Sequence, residues 1–160
     1  MSGDAAEGNS EFTASDSYIT TNNGDTFYVT NTTATINLTN NTIVNNDSTG
    51  NFLRIKEDSW GTSGENGGNV TLNMSNQSVT ENIVVDSIST LDMTMEEGSY
   101  YEGTINGDNT AESITLTLDS TSSIKLTGDS YVTSLEDADT TYSNIDFNGY
   151  TLYVNGVAIN

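Results

Sequence analysis

The stretch GNVTLNMSNQSVTENIVV, residues 68–85, decides the fold of this chain. In its first half Val70, Leu72 and Met74 alternate with polar residues, which is the period of a β-strand that buries one face. A polar corner at residues 75–77 follows, and two short apolar segments complete the stretch. This order of strand, corner, strand, corner and strand is typical of one coil of a right-handed parallel β-helix.

The same unit recurs along the chain at a nearly fixed spacing. The equivalent strand centres Val70, Leu91 and Ile114 are 21 and 23 residues apart, and Ile36 precedes Val70 by 34 residues. The larger step contains the Gly- and Ser-rich stretch 58–68, which we interpret as a loop extruded from one corner. Self-similarity at a fixed period is the signature of a solenoid, so we predict an all-β fold, a right-handed parallel β-helix of about 4–5 coils. The predicted core residues are Ile36, Leu38, Val70, Leu72, Leu91, Met93, Ile114, Leu116 and Ile145.

The two ends of the chain differ from its repeats. Residues 1–17 combine Gly, Ala, Ser and acidic residues without periodicity, and we interpret them as a disordered linker or a tag remnant. Residues 18–160 then form a single β-helix domain. Within residues 145–160, two Asn-Gly pairs flank alternating apolar residues, which is a strong hairpin signal. The sequence therefore predicts a small antiparallel cap at this end, with a further coil as the alternative.

Composition limits the functions open to this chain. The net charge of −20 comes from 23 acidic residues against three basic ones, a balance that repels nucleic acids and anionic membrane surfaces. The chain has no cysteine and no histidine, which removes thiolate metal sites and the commonest catalytic base. It also lacks an apolar run of about 18 residues. We expect neither nucleic-acid binding nor membrane insertion.

Four segments carry a resemblance to a protein family. They are Phe52–Ile55 followed by SWGTSGENGGNVTLN at residues 59–73, then SITLTLDS at 113–120, LTGDSYVTSL at 126–135 and NGYTLYVNG at 148–156. These segments resemble secreted β-helix proteins of Gram-positive bacteria, several of which are described as carbohydrate-binding or adhesin-like. The resemblance implies an extracellular or cell-surface location, and either a monomer or the C-terminal coils of a longer surface chain. It implies no catalytic residues, and an activity does not follow from a shared fold.

From these observations we expect a non-catalytic extracellular module for adhesion or structural spacing, with surface glycans or cell-surface proteins as partners. The alternative is a carbohydrate-binding module that uses exposed aromatic residues. Trp60, in the extruded loop, offers a wide apolar ring with an N–H donor, which suits stacking on a sugar. Tyr100 and Tyr101 are predicted to extend this platform.

Calcium is the one cofactor that the acidic composition favours. Four aspartates lie in predicted turns, where carboxylate and backbone oxygens can converge on a cation. They are Asp108, Asp129, Asp137 and Asp139. No segment has the regular spacing of a calcium-binding loop, so solvated corner acids are the simpler interpretation.

The sequence leaves three further functions open. Outward Thr and Asn residues on successive strands would form flat ladders about 4.8 Å apart, which suggests ice binding. An acidic surface of this kind would also mimic nucleic acid toward a basic protein partner. A polysaccharide-degrading enzyme would need two opposed carboxylates, for which the candidates are Glu96, Glu97, Glu136, Asp137 and Asp139.

Overall fold

The computed structural model describes residues 9–159, which form β-strands and no helix. The strands stack as six successive turns of a β-solenoid. Turn one contains β1 (Asn9–Ser15), β2 (Tyr18–Thr21) and β3 (Phe27–Val29), and turn two contains β4 (Thr32–Thr39), β5 (Thr42–Asn45) and β6 (Leu53–Ile55). Turn three contains β7 (Gly68–Ser75), β8 (Ser78–Thr80) and β9 (Ile83–Val85), and turn four contains β10 (Thr90–Glu96) and β11 (Tyr100–Gly103). Turn five contains β12 (Ser113–Leu118), β13 (Ser123–Leu126) and β14 (Ser130–Val132), and turn six contains β15 (Ser134–Asp137), β16 (Ile145–Asp146) and β17 (Leu152–Val154), before the short β18 (Val157–Ala158).

Strands at the same position in successive turns pair in parallel and build three faces along the solenoid. The first face is one six-stranded sheet in the order β1-β4-β7-β10-β12-β15. The second face carries β2 and β5 and then the sheet of β8, β11, β13 and β16. The third face carries β3, β6 and β9, and then β14 and β17. In turn four this third face has no strand, and a single bridge joins Ile83 to Ile105.

The core is a set of in-register columns of inward side chains. Val70, Leu91 and Ile114 are direct partners on neighbouring strands, as the sequence spacing predicted. The predicted partner of Val70 in turn two was wrong by two residues, since Ala34 pairs with Val70 and Ile36 pairs with Leu72. A shift of two residues keeps the same side chains inward, because side chains alternate with a period of two along a strand. All nine predicted core residues are buried.

The solenoid begins earlier than the sequence predicted. Residues 9–17 are not a linker, because β1 pairs with β4 along its whole length and Phe12 packs edge-on against Phe27, with ring centroids 5.2 Å apart. Residues 1–8 of the predicted linker lie outside the described part of the chain. This additional N-terminal turn is one reason why the structure has six turns, whereas about 4–5 coils were predicted.

The C-terminal end combines the two alternatives that the sequence left open. β16 and β17 pair in parallel with β13 and β14, so residues 145–154 complete a sixth turn instead of a meander. The chain reverses only at Asn155 and Gly156, which have positive φ angles of 48° and 78°, and β18 then pairs antiparallel with β17. The hairpin cap is therefore confined to the last few residues.

A ladder of polar side chains runs inside the corner between the first and second faces. It takes one side chain from each of turns two to six: Asn41, Gln77, Ser99, Ser122 and Asn144. Gln77 is fully buried, and its side-chain oxygen accepts hydrogen bonds from the backbone N–H (2.8 Å) and the side-chain amide (3.0 Å) of Asn41. The Gln77 amide donates in turn to the Asn41 carbonyl at 2.9 Å. This ladder satisfies the backbone groups that each buried corner would otherwise leave unpaired.

Candidate binding surfaces

The first face carries an uncharged area that we call the polar plateau. It consists of the outward side chains of β4 and β7, namely Thr33, Thr35, Asn37, Thr39, Asn69, Thr71, Asn73 and Ser75. Threonine favours strands because its branched side chain packs well on a pleated surface, which explains its frequency here. In a chain with a net charge of −20, eight adjacent neutral side chains form an area of distinct chemistry. Acidic residues border the plateau, with Glu11 on β1 and Asp92 and Glu96 on β10.

Side-chain hydrogen bonds order the plateau. The Asn37 amide donates to the Thr13 hydroxyl at 3.0 Å, and the Asn73 amide donates to the side-chain oxygen of Asn37 at 2.8 Å. Neighbouring strands hold these groups about 4.8 Å apart, so the bonds run across the strands as a ladder. A shallow hollow of about 280 Å³ lies at one end of the plateau, between Asn73 and Glu96. The plateau thus presents fixed hydroxyl and amide groups instead of flexible charged ones.

The aromatic platform predicted from the sequence does not exist as one surface. Tyr101 is fully buried in the core, where its hydroxyl donates to the Thr104 carbonyl at 3.1 Å and burial raises its pKa. Its predicted contact with a ligand is therefore wrong. Tyr100 faces outward from β11 on the second face, and its hydroxyl donates to Glu102 at 2.9 Å. Trp60 is 36% exposed, and its loop leaves the corner between the third and first faces.

Three of the four aspartates predicted to bind calcium accept hydrogen bonds that hold the corners of the solenoid. Asp129 accepts the backbone N–H of Thr151 at 2.9 Å, and Asp137 accepts the backbone N–H of Asp139, also at 2.9 Å. Asp139 accepts bonds from Thr141 and Ser143, and these lower its pKa, with the Ser143 hydroxyl as the largest cause. Asp108 is exposed in turn four. Among residues 9–159, no three acidic side chains converge as a metal site requires.

The same corner chemistry recurs at other aspartates. Asp47 accepts the backbone N–H of Gly24 at 2.6 Å and that of Thr49 at 2.9 Å, which lowers its pKa to about 2. Burial raises the pKa of Asp119, but bonds from Glu97, Ser122 and Thr121 outweigh this and the net shift is downward. Hydrogen bonds to an ionised carboxylate favour the charged form. These acids therefore stay ionised and serve as turn caps.

Two of the three basic side chains form ion pairs with acids of the preceding turn. Arg54 Nε lies 2.6 Å from Asp25 Oδ2, and the guanidinium lies 5.7 Å from the centroid of the Tyr28 ring. Lys125 Nζ lies 2.9 Å from Glu102 Oε1. The Lys125–Glu102 pair has about a third of each side chain exposed and contributes little stability, whereas the Asp25 side chain is only 9% exposed. Each pair neutralises the positive charge of Arg54 or Lys125, which would otherwise attract an acidic partner.

The third face carries an aromatic pair that the sequence reasoning missed. The rings of Tyr131 and Tyr153 stack with centroids 4.8 Å apart and planes 5° from parallel. Next to them, a hollow of about 230 Å³ is lined by Tyr131 with Asn109, Glu112 and Asn155. A signal for the pair was present, because the dipeptide Tyr-Val occurs at residues 131–132 and again 22 residues later, which is the spacing of one coil.

Comparison of the chain with known protein families, curated proteins and solved structures found no match. No helix among the described residues has the length and apolar character needed to cross a bilayer.

Proposed function

We propose that this chain is a non-catalytic extracellular module for adhesion or spacing at a cell surface, and that the polar plateau makes the contact. The observation that carries the proposal is the uncharged, hydrogen-bonded array on β4 and β7 in a strongly acidic protein. Neutral hydroxyl-rich partners such as polysaccharides match this chemistry, since they exchange hydrogen bonds with hydroxyl and amide groups and bring no charge of their own. The stacked turns supply a rigid support, because the sheet of the first face is continuous through all six turns.

A bulky substitution in the plateau tests this function. Thr71 lies between Thr35 and Asp92, and a tyrosine there would raise a ring above the flat face without disturbing the strand, since tyrosine favours strands. We expect the unaltered protein to be retained on at least one insoluble neutral polysaccharide among cellulose, chitin and mannan. Thr71→Tyr should reduce retention about tenfold, which corresponds to about 1.4 kcal/mol of binding free energy.

The matched control is Ser78→Tyr, which adds the same ring on the second face beside Tyr100. It should be retained like the unaltered protein. Equal retention of Thr71→Tyr and Ser78→Tyr would show that the plateau is not the contact surface. Failure of the unaltered protein to bind any of the three polysaccharides would count against adhesion to neutral glycans.

Ice binding is the second candidate function, and the regularity of the first face favours it. The outward residues Thr115 and Thr117 of β12 are in register with Asp92 and Thr94 of β10, so the array continues beyond the plateau. Flat arrays of this kind hold hydroxyl groups at fixed spacings of about 4.8 Å across strands and about 6.7 Å along them. If this function is correct, the protein will slow recrystallisation in a frozen sucrose solution and Thr71→Tyr will not. Equal grain growth with and without the protein would exclude it.

A further inference from the structure

We propose that the hollow beside Tyr131 is a subsite for one sugar residue of a neutral glycan. The inference deepens the proposed adhesion function and rests on it, because it names the ligand class and a second contact on another face. The site lies on the third face at turns four to six, away from the plateau and away from Trp60 and Tyr100.

Tyr131 supplies the aromatic plate. Tyr153 of turn six stacks on one face of its ring, 4.8 Å between centroids, so the opposite face is turned toward turn four, where the hollow lies. The stacked neighbour and the paired strands β14 and β17 hold the ring in place. Sugars have apolar C–H faces as well as hydroxyl groups, and a fixed aromatic ring with a polar edge is suited to pack against them.

The hollow exists because turn four lacks a strand on this face. Residues 106–111 form a loop there instead, and Asn106 fixes its shape. Asn106 is 5% exposed with a φ angle of 51°, and its side-chain oxygen accepts the backbone N–H groups of Thr110 (3.0 Å) and Ala111 (3.2 Å). Its amide donates to the Tyr131 carbonyl at 3.3 Å, which ties the loop to the aromatic strand. The cavity is therefore formed before any ligand arrives, and binding requires no ordering of this loop.

The lining matches a sugar in size and chemistry. Exposed Asn109, Glu112 and Asn155 place amide and carboxylate groups around the Tyr131 ring, and these groups can exchange hydrogen bonds with hydroxyls. The volume of about 230 Å³ is below the about 300–1,000 Å³ of pockets that enclose whole small molecules, so it fits one unit of a chain. A second hollow of about 190 Å³, lined by Asn82, Thr104 and Asp108, shares Asn106 with it and offers space for a neighbouring unit.

Charge selects among glycans. Glu112 borders the first hollow and Asp108 the second, and the whole chain carries −20. Uronic acids, sialic acid and sulfated sugars would be repelled by this field. The expected ligands are neutral hexose, pentose or N-acetylhexosamine chains.

The experiment titrates the protein by calorimetry with neutral cello-, xylo-, manno- and chito-oligosaccharides of four to six units, and with an oligogalacturonate as the anionic comparison. We expect at least one neutral series to bind and the oligogalacturonate not to bind. Tyr131→Ala should weaken that binding about tenfold, because the aromatic plate is lost. Tyr131→Phe keeps the plate and should stay within about twofold of the unaltered protein.

Two further variants keep the result interpretable. Tyr18→Ala removes an exposed tyrosine at the opposite end of the solenoid and should leave affinity unchanged. Glu112→Tyr fills the hollow from its rim and leaves Tyr131 and Tyr153 unsubstituted, so it should abolish binding even if Tyr131→Ala fails to fold. The subsite is refuted if no neutral oligosaccharide binds, or if Glu112→Tyr and Tyr131→Ala both bind like the unaltered protein. If Thr71→Tyr reduces retention on polysaccharide while Tyr131→Ala and Glu112→Tyr do not, the adhesion function stands and this subsite is refuted.

Discussion

Gln77→Leu will destabilise the solenoid by on the order of 3 kcal/mol, one of the two largest effects expected from a single substitution. Leucine fills a similar volume but cannot accept from the backbone and side-chain N–H groups of Asn41, nor donate to the Asn41 and Ser78 carbonyls. These groups are buried where the corner excludes water, and each buried group left without a partner costs about 1–3 kcal/mol. The measurement is the free energy of unfolding from urea titration, followed by circular dichroism.

The neighbouring position gives the control for this substitution. Ser78 is exposed on β8, so Ser78→Ala should change the free energy of unfolding by less than about 0.5 kcal/mol. If Gln77→Leu were as stable as the unaltered protein, the ladder from Asn41 to Asn144 would be incidental to folding.

The central turns could be predicted from the sequence because they contain strong alternation. Val70, Leu91 and Ile114 each begin a run in which every second residue is apolar, and a period of two fixes both the strand and its inward face. The terminal turns gave a weaker signal for a physical reason. β1 has only Phe12 and Ala14 as apolar residues, because an end strand has a neighbour on one side only and covers less of the core.

The candidate sites were harder to predict than the fold. Tyr100 and Tyr101 are adjacent and chemically alike, and only the register of β11 against Val79 and Ile124 shows that Tyr101 is the inward one. The stack of Tyr131 on Tyr153 depends on two turns being in register on the third face, which is the least regular of the three. The hollow beside it depends on the missing strand in turn four, and an irregular loop carries no periodic signal in the sequence.

Leu72→Ala will lower the free energy of unfolding by about 2–5 kcal/mol. Leu72 is fully buried in turn three, stacked between Ile36 of turn two and Met93 of turn four. The lost methyl groups leave a cavity that cannot collapse, because the parallel ladders hold the backbones of the neighbouring turns at a fixed spacing. Urea titration of both proteins provides the measurement, with an unchanged slope as the sign that the folded state is otherwise intact.

A leucine-to-alanine substitution at the end of the column compares the free energy lost in a terminal turn with that lost in an interior turn. Leu135 is the turn-six residue of this column, paired with Leu116, and it is only partly buried because β15 is the last strand of the first face among residues 9–159. In a stack whose stability is the sum of its turns and the interfaces between them, an interior residue acts on two interfaces and a terminal one on a single interface. Leu135→Ala should therefore cost roughly half as much as Leu72→Ala. Equal losses at the two positions would mean that the six turns do not behave as a linear stack.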